Sequence, residues 1–187
     1  MKVRMIIIAA PSGAGKSSFV ERITREIPRL RDTVTYTTRK MRPTESEGNP
    51  YHFVSEERFK ELRDQGFFVE WAVVHNNFYG TPMHQLEDAW VRDEVIIMDV
   101  DVQGAATFKR KFPDAVSIFI LPPSVDELRR RLISRDGAGS ADLETRLKNA
   151  ELEISRAGEF DYQIVNDDFD KSYQEFKKII EDLLARR

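Results

Sequence analysis

Residues 10–17 read Ala-Pro-Ser-Gly-Ala-Gly-Lys-Ser, directly after the apolar run Met5–Ala9 and directly before a helical pattern. A buried strand, a loop of small residues closing on Gly-Lys-Ser, and a helix make, in that order, a phosphate-binding loop. Pro11, Ser12, Gly13, Ala14 and Gly15 would wrap backbone N–H groups around nucleotide phosphates. Ser18 follows at the N-terminus of the helix, which adds its own positive field. Lys16 would reach the β- and γ-phosphates, and the Ser17 hydroxyl would ligate Mg²⁺. The ligand class is therefore a nucleoside triphosphate, ATP or GTP. Ala10 stands where the full pattern opens with glycine, and the turn survives if Ala10 keeps φ below zero.

Phosphoryl transfer needs a positioned donor and acceptor, a metal ion and cations over the moving group. Arg39 and Arg42 lie three apart beside the hydroxyls of Thr35, Thr37 and Thr38, and arginine binds phosphate bidentately. Two arginines in a polar loop are also what a solvated surface carries. Glu70 interrupts the apolar stretch Phe67–Ala72, where a carboxylate either faces water or needs partners. Guanine offers such partners as a ring N–H beside an exocyclic amine; adenine does not. Asn77–Pro82 sets a phenol and a hydroxyl beside a glycine and reads as a turn. The strand Val95–Asp99 delivers Asp99 and then Asp101 at its carboxyl end, where α/β sheets bind ligands. A carboxylate there can hold Mg²⁺ directly or through water, and Asp101 can also cap the next helix. Further on, Arg131 and Arg135 share one helix face and Arg146 lies on the next helix. Such arginines either pair on the surface or close over phosphates.

These residues need a frame. Apolar runs suited to buried parallel strands occur at Val3–Ala9, Val95–Asp99, Val116–Leu121 and Tyr162–Val165. Helical patterns cover Ser17–Ile27, Met83–Val91, Val102–Lys111, Ser124–Arg135, Asp142–Arg156 and Phe169–Leu184, the last after the cap candidates Asn166, Asp167 and Asp168. Strands alternating with helices predict an α/β fold with a parallel sheet. Thr33–Thr81 breaks the rhythm with short β-rich pieces at Val34–Thr37, Tyr51–Val54 and Phe67–Val74. One helix after Ser55 and the turn residues Pro43, Gly48, Pro50 and Gly66 complete it. This reads as an inserted β-rich subdomain. The arginine-rich stretch from Asp126 to Arg156 contains Asp136-Gly137-Ala138-Gly139-Ser140, the composition of a lid loop.

The chain has 187 residues, which suits one domain with a sizeable core. A net charge of −3 implies no general attraction to nucleic acid or anionic membrane. With no cysteine, disulfides, thiolate metal sites and a cysteine nucleophile are excluded. Lys2 and Arg4 ahead of Met5–Ala10 faintly suggest a leader, but the apolar stretch is too short and the phosphate loop follows at once. No run approaches transmembrane length, and the expected location is the cytoplasm.

Taken together, the segments resemble the guanylate kinase family, P-loop enzymes that phosphorylate GMP with ATP. The resemblance covers nearly the whole chain. It is carried by Thr37-Thr38-Arg39, Tyr51-His52-Phe53-Val54, Glu70-Trp71-Ala72, Tyr79-Gly80-Thr81-Pro82, Asp101-Val102-Gln103-Gly104, Pro122-Pro123-Ser124 and Ile164-Val165-Asn166-Asp167-Asp168. It implies a P-loop NTPase fold: a parallel sheet core flanked by helices (1–33, 82–125 and 157–187), an inserted β-rich GMP-binding subdomain (34–81) and a helical lid (126–156). It further implies that Arg39, Arg42, Tyr51 and Tyr79, beside Gly80, hold the GMP phosphate, and that Glu70 with Thr35 and Thr81 reads guanine. Asp99 would sit near GMP and the Mg²⁺ hydration shell, with Asp101 close by. Lys16, Arg131, Arg135 and Arg146 would stabilise the moving phosphoryl group, and Asn166 would lie near the adenine. The implied substrates are ATP and GMP, with dGMP as a further acceptor; Mg²⁺ is the implied cofactor and the oligomeric state stays open. The lid departs from relatives, which follow the residue matching Arg135 with Gly and a Thr-acidic-Ser/Thr stretch; Asp136 beside Arg135 would weaken its hold on phosphate. Two other readings compete: a binding module that uses the acceptor site for phosphorylated peptides, and another small P-loop kinase. Retention of Lys16 and Ser17 argues against the first; Glu70 and the two threonines argue against the second.

Overall fold

The computed structural model describes residues 3–43, 45–49, 51–74, 76–136 and 143–186, with the side chains of Arg135 and Asp136 excepted. The expected turn at Pro50 and the glycines of the expected lid loop lie outside the described residues. The chain runs β1 (Met5–Ala9), α1 (Lys16–Glu26), β2 (Leu30–Asp32), β3 (Thr35–Thr37), β4 (Tyr51–Phe53), α2 (Glu56–Asp64), β5 (Phe68–Val74) and β6 (Asn77–Pro82). It continues through α3 (Met83–Val91), β7 (Val95–Val100), α4 (Val102–Lys111), β8 (Val116–Leu121), α5 (Val125–Asp136), α6 (Leu143–Ser155), β9 (Tyr162–Val165) and α7 (Phe169–Ala185), with a 3-10 turn at Ala157–Glu159.

Five strands form one parallel sheet in the order β2-β7-β1-β8-β9. β1 lies at its centre and every residue of it is buried. Its side chains alternate between two apolar layers, as a period of two requires. Ile6 and Ile8 pack with Phe19 and Ile23 of α1 and with Tyr173, Phe176, Ile180 and Leu183 of α7. Met5, Ile7 and Ala9 pack with Leu86 and Ala89 of α3 and with Ala105 and Phe108 of α4. Burying each of these large side chains contributes about 1.5–3 kcal/mol, and together they fix the carboxyl ends of β1 and β7. Both strands end at the candidate site.

A second, four-stranded sheet has the order β4-β3-β6-β5, parallel between β3 and β4 and antiparallel elsewhere. Asn77–Pro82, expected as a turn, is strand β6 in the middle of this sheet. Phe78, Tyr79 and Thr81 are good strand formers, and Gly80 and Pro82 disguise the alternation. Gly80 is there for packing: a Cβ would stand 2.8 Å from Phe68 Cδ1 and 2.9 Å from Phe59 Cζ. Phe59 of α2 is fully buried and stacks on Phe68 and Phe78, with ring centroids 4.5 and 5.2 Å apart. β2 was not expected; it is a three-residue edge strand with Arg31 and Asp32 exposed, so it carries no apolar run.

The chain crosses between the two sheets twice, at Thr33–Val34 and at Pro82–Met83. The Gln85 amide clasps the crossing, accepting from Val34 N–H at 2.8 Å and donating to the Val34 carbonyl at 3.2 Å. α5 and α6 pack against each other through Leu128, Leu132, Leu147 and Ala150.

Candidate functional site

The loop between β1 and α1 takes the conformation its glycines allow. Gly13 and Gly15 have φ of 94° and 95°, values that L side chains rarely adopt. Ala10 is not among the positive-φ residues, so alanine is tolerated where the pattern asks for glycine. α1 has no acidic residue in its first turn and no side-chain cap, which leaves its N-terminal N–H groups and dipole available to an anion. Lys16 Nζ donates to the Val100 carbonyl at 2.9 Å and lies 3.9 Å from Asp99 Oδ2. Ser17 Oγ donates to the same Asp99 oxygen at 2.9 Å. The end of β7 thus meets the loop as the sequence reading required. Asp101 does not extend the strand: it caps α4, accepting from Gly104 N–H at 2.6 Å.

One cavity of about 530 Å³ joins this loop to the second sheet, within the size range of small-molecule sites (~300–1,000 Å³). Its walls include Pro11, Ser12, Gly13, Gly15, Lys16, Ser17 and Ser18 on one side. Thr35, Arg42, Tyr51, Glu70, Tyr79, Gly80 and Thr81 line the other, and Asp99, Asp101 and Arg131 of α5 also line the cavity. Thr81 is almost fully buried. Glu70 is 8% exposed and hydrogen-bonds to no described residue, so its carboxyl is pushed up to about 7, by burial first and by the charge of Asp101 second. Burial likewise pushes the Tyr51 phenol up, and Asp99 adds to it.

The remaining expected residues lie around the cavity rather than on its wall. Arg39 grips Glu45 bidentately, at 2.7 and 3.0 Å, and the same carboxylate accepts from Arg42 N–H at 2.8 Å. Its guanidinium lies 5.3 Å from the Tyr51 ring and 5.6 Å from that of Phe53. Arg146 Nη2 donates to Ser12 Oγ at 2.7 Å and lines a neighbouring cavity of about 300 Å³. The Arg135 side chain lies outside the described residues. Asn166 is buried behind the phosphate loop. Its Nδ2 donates to the Ala14 carbonyl at 2.8 Å, and its own carbonyl accepts from Arg131 Nη2 at 3.0 Å. A Cβ on Gly15 would stand 2.8 Å from that Nδ2, a second reason for glycine there. Asn166 Oδ1 is buried and has no hydrogen-bond partner among the described residues.

Three acids and one lysine near the site escaped the sequence reading. Glu153, on α6, lines both cavities; burial pushes its carboxyl up to about 7, with Lys16 opposing and Asp101 reinforcing. It sits seven residues after Arg146, on the same helix face, and that spacing was its signal. Asp32 keeps contact with solvent, yet protein walls and then the Asp99 charge push it up to about 7. Lys111 had no signal, because it acts through tertiary approach, and Glu45 had none because a charge in a polar loop does not name its partner, even though Arg42 and Arg39 lie three and six residues away.

A parallel α/β sheet whose first strand feeds a phosphate loop, facing a second sheet across a nucleotide-sized cavity, defines a P-loop phosphotransferase. The guanylate kinase family model matches residues 2–183. The chain is 63% identical over 185 residues to guanylate kinase of Bdellovibrio bacteriovorus, covering 99% of this chain and 100% of that protein. It is 44% identical over 181 residues to guanylate kinase of Vibrio cholerae, covering 96% and 87%. The crystal structure of guanylate kinase from Anaplasma phagocytophilum superposes with a TM-score of 0.79 at 33% identity, over 99% of this chain and 87% of that one. The chain belongs to the guanylate kinase family.

The Asn166 contacts yield a prediction. Asn166→Ala removes the strut behind Ala14 and Gly15. The KM for ATP rises several-fold with a smaller change for the acceptor. Loss of one buried hydrogen bond, about 1 kcal/mol, lowers the melting temperature of the ligand-free protein by about 2–4 °C. An unchanged melting temperature would mean that Asn166 is not a strut.

Proposed function

We propose that the residues of this one cavity divide the work of the guanylate kinase reaction, ATP + GMP = ADP + GDP, as follows. The observation that carries the reading is that phosphate-loop residues and Glu70, Thr35, Thr81, Arg42, Tyr51 and Tyr79 share its walls. The loop N–H groups and Lys16 hold the β- and γ-phosphates of ATP. Arg42, Tyr51 and Tyr79 take the GMP phosphate, while Arg39, bound to Glu45, fixes Tyr51 and the Arg42 backbone around it. Glu70 accepts the ring N–H and amine of guanine, and Thr35 and Thr81 contribute hydroxyls. A phosphate oxygen of GMP attacks the γ-phosphorus in line as the bond to the β-phosphate oxygen breaks, so no protein nucleophile is required. Arg131 and Arg146, both anchored beside the phosphate loop, add positive charge on the lid side, with Arg135 between them in sequence. Asn166 supports the adenine side through the loop. The smaller deoxy acceptor dGMP fits the same scheme, since none of these contacts needs the 2′-hydroxyl.

Ser17 Oγ and Asp99 Oδ2 are hard oxygen donors 2.9 Å apart, facing the region of Lys16. That donor set suits Mg²⁺, with Ser17 as direct ligand and Asp99 acting through water. When bound, the ion would neutralise charge on the β- and γ-phosphates. Chelation with EDTA is expected to abolish ADP formation and to leave GMP binding by calorimetry intact; turnover that survives chelation would count against the metal.

The reading as a whole is tested by coupled ADP release with ATP and Mg²⁺ and each of GMP, AMP, CMP and UMP in turn. ADP release with GMP alone is expected. Equal release with AMP would sink the assignment of Glu70. None of the described helices is long and apolar enough to cross a membrane.

A further inference from the structure

Glu70 reaches the cavity through an irregularity in β5. Phe68 pairs with Pro82 and Glu70 with Thr81, so Val69 is an extra residue with nothing opposite it on β6. Such a bulge re-aims the side chains on either side of it. Val69 and Glu70 are consecutive, and both are buried. Val69 packs into the apolar layer of α3 and α4, and Glu70 faces the cavity. The Val69 carbonyl, at the bulge, accepts a hydrogen bond from Lys111 Nζ at the carboxyl end of α4.

α4 ends in three cations, Lys109, Arg110 and Lys111. Lys109 pairs with Asp161 at 2.9 Å and also donates to the Ala115 carbonyl. Arg110 donates to Thr107 Oγ1 at 3.0 Å, within its own helix. Lys111 alone of the three crosses to β5, and it has no ion pair with a described carboxylate.

We infer that Lys111 is a positioning residue for Glu70: it clamps the Val69 carbonyl at the bulge and sets a positive charge beside the carboxylate that reads guanine. The inference rests on the assignment of Glu70 above and deepens it. The electrostatics agree with the geometry. Two opposite charges at the two ends of α4 act on Glu70, with Asp101 favouring its protonated form and Lys111 its ionised form. On α2, which also packs on β5, Lys60 pairs with Glu56, Arg58 with Glu61 and Arg63 with Asp64; Arg63 also lies over the Trp71 ring, and Glu57 is held by its own backbone N–H and Ser55. β6 contributes only Tyr79 as a titratable group. Lys111 is therefore the cation that opposes burial and Asp101.

The test is the pH profile of kcat/KM for GMP in Lys111→Met, which keeps the aliphatic stem and loses both charge and donor. Its acid limb is expected to move up by about half a unit, so that at pH 6.5 kcat/KM for GMP falls roughly three-fold. The KM for ATP stays as it was. Lys111→Arg restores both limb and KM, and serves if the methionine variant folds poorly. A limb that stays in place in a folded Lys111→Met, or a KM for ATP that rises in step with that for GMP, overturns the inference. Glu70→Gln separates the two levels of the argument. A limb that persists undiminished in Glu70→Gln defeats the assignment of Glu70. A limb that disappears there yet does not move in Lys111→Met defeats the role of Lys111 alone.

Discussion

In Lys16→Ala, kcat at saturating ATP and GMP falls by about 10²- to 10³-fold, the cost of removing one preorganised electrostatic donor from a transition state. Lys16 is held for this task. Its ammonium is fixed by the Val100 carbonyl and lies 3.9 Å from Asp99, at the junction of the phosphate loop and β7. Without it, Asp99 faces the incoming phosphates uncompensated, so KM for ATP rises as well. The fold survives, because the side chain is partly exposed and belongs to neither apolar layer. Coupled ADP release on a variant whose melting temperature is retained is the measurement. Near-normal turnover would refute the assignment of the loop as the donor site.

Glu70→Gln is the second large effect. An ionised carboxylate can accept both guanine donors, whereas an amide presents an N–H where guanine also presents one. Hydrogen bonds to a charged group are worth about 1.5–3 kcal/mol, so loss of one lowers kcat/KM for GMP by about 10- to 100-fold. The preference for GMP over AMP shrinks with it; an unchanged preference sinks the assignment. The direction of the pH dependence follows from the raised pKa. In the free protein Glu70 titrates at about 7. Below that pH it is protonated and must lose a proton to accept both donors. kcat/KM for GMP therefore rises with pH up to about 7 and then levels, and the part of the limb owed to Glu70 is absent in Glu70→Gln. Stability runs the other way. The folded state holds this proton more tightly than the unfolded state, so stability is lost as pH rises from the ordinary glutamate range through about 7. Above pH 7 the glutamine variant, free of that cost, melts at a higher temperature than the parent. Below pH 5 the two converge.

How much of this was legible in the sequence depended on whether a residue's role is local. The runs that became β1, β7 and β8 lie inside the sheet and are largely buried on both faces, so their apolar character is nearly continuous; β9, at the edge, buries Ile164 and exposes Gln163 and Val165. β2 is Leu-Arg-Asp at a sheet edge, where two of three side chains meet water, and no pattern could mark it. β6 was hidden because its glycine answers to Phe59 and Phe68, both distant in sequence. The phosphate loop was readable because backbone, lysine and serine act within eight consecutive residues. Glu70 was noticeable as a carboxylate in an apolar strand. What holds it was not: Lys111 is 41 positions away, and nothing near it in sequence distinguishes it from Lys109. The same holds for Arg39, expected from the resemblance to hold the GMP phosphate: its pairing with Glu45 depends on how the intervening loop folds back.

The Gln85 clasp at the crossing between the two sheets has a consequence for how such a chain can change over time. Residues 34 and 85 are hydrogen-bonded neighbours, so the ends of the intervening segment are joined at one point, and within it Val69 makes a second contact with the core layer of α3 and α4. Once its ends are joined, adding to such a loop is cheap; doubling its length costs only about 0.6 kcal/mol in closure entropy. Away from Val69, substitutions and length changes inside it leave the packing of β1, α1 and β7 as it is. The segment can therefore vary in length and surface while the phosphate loop and the strands that frame it keep their geometry.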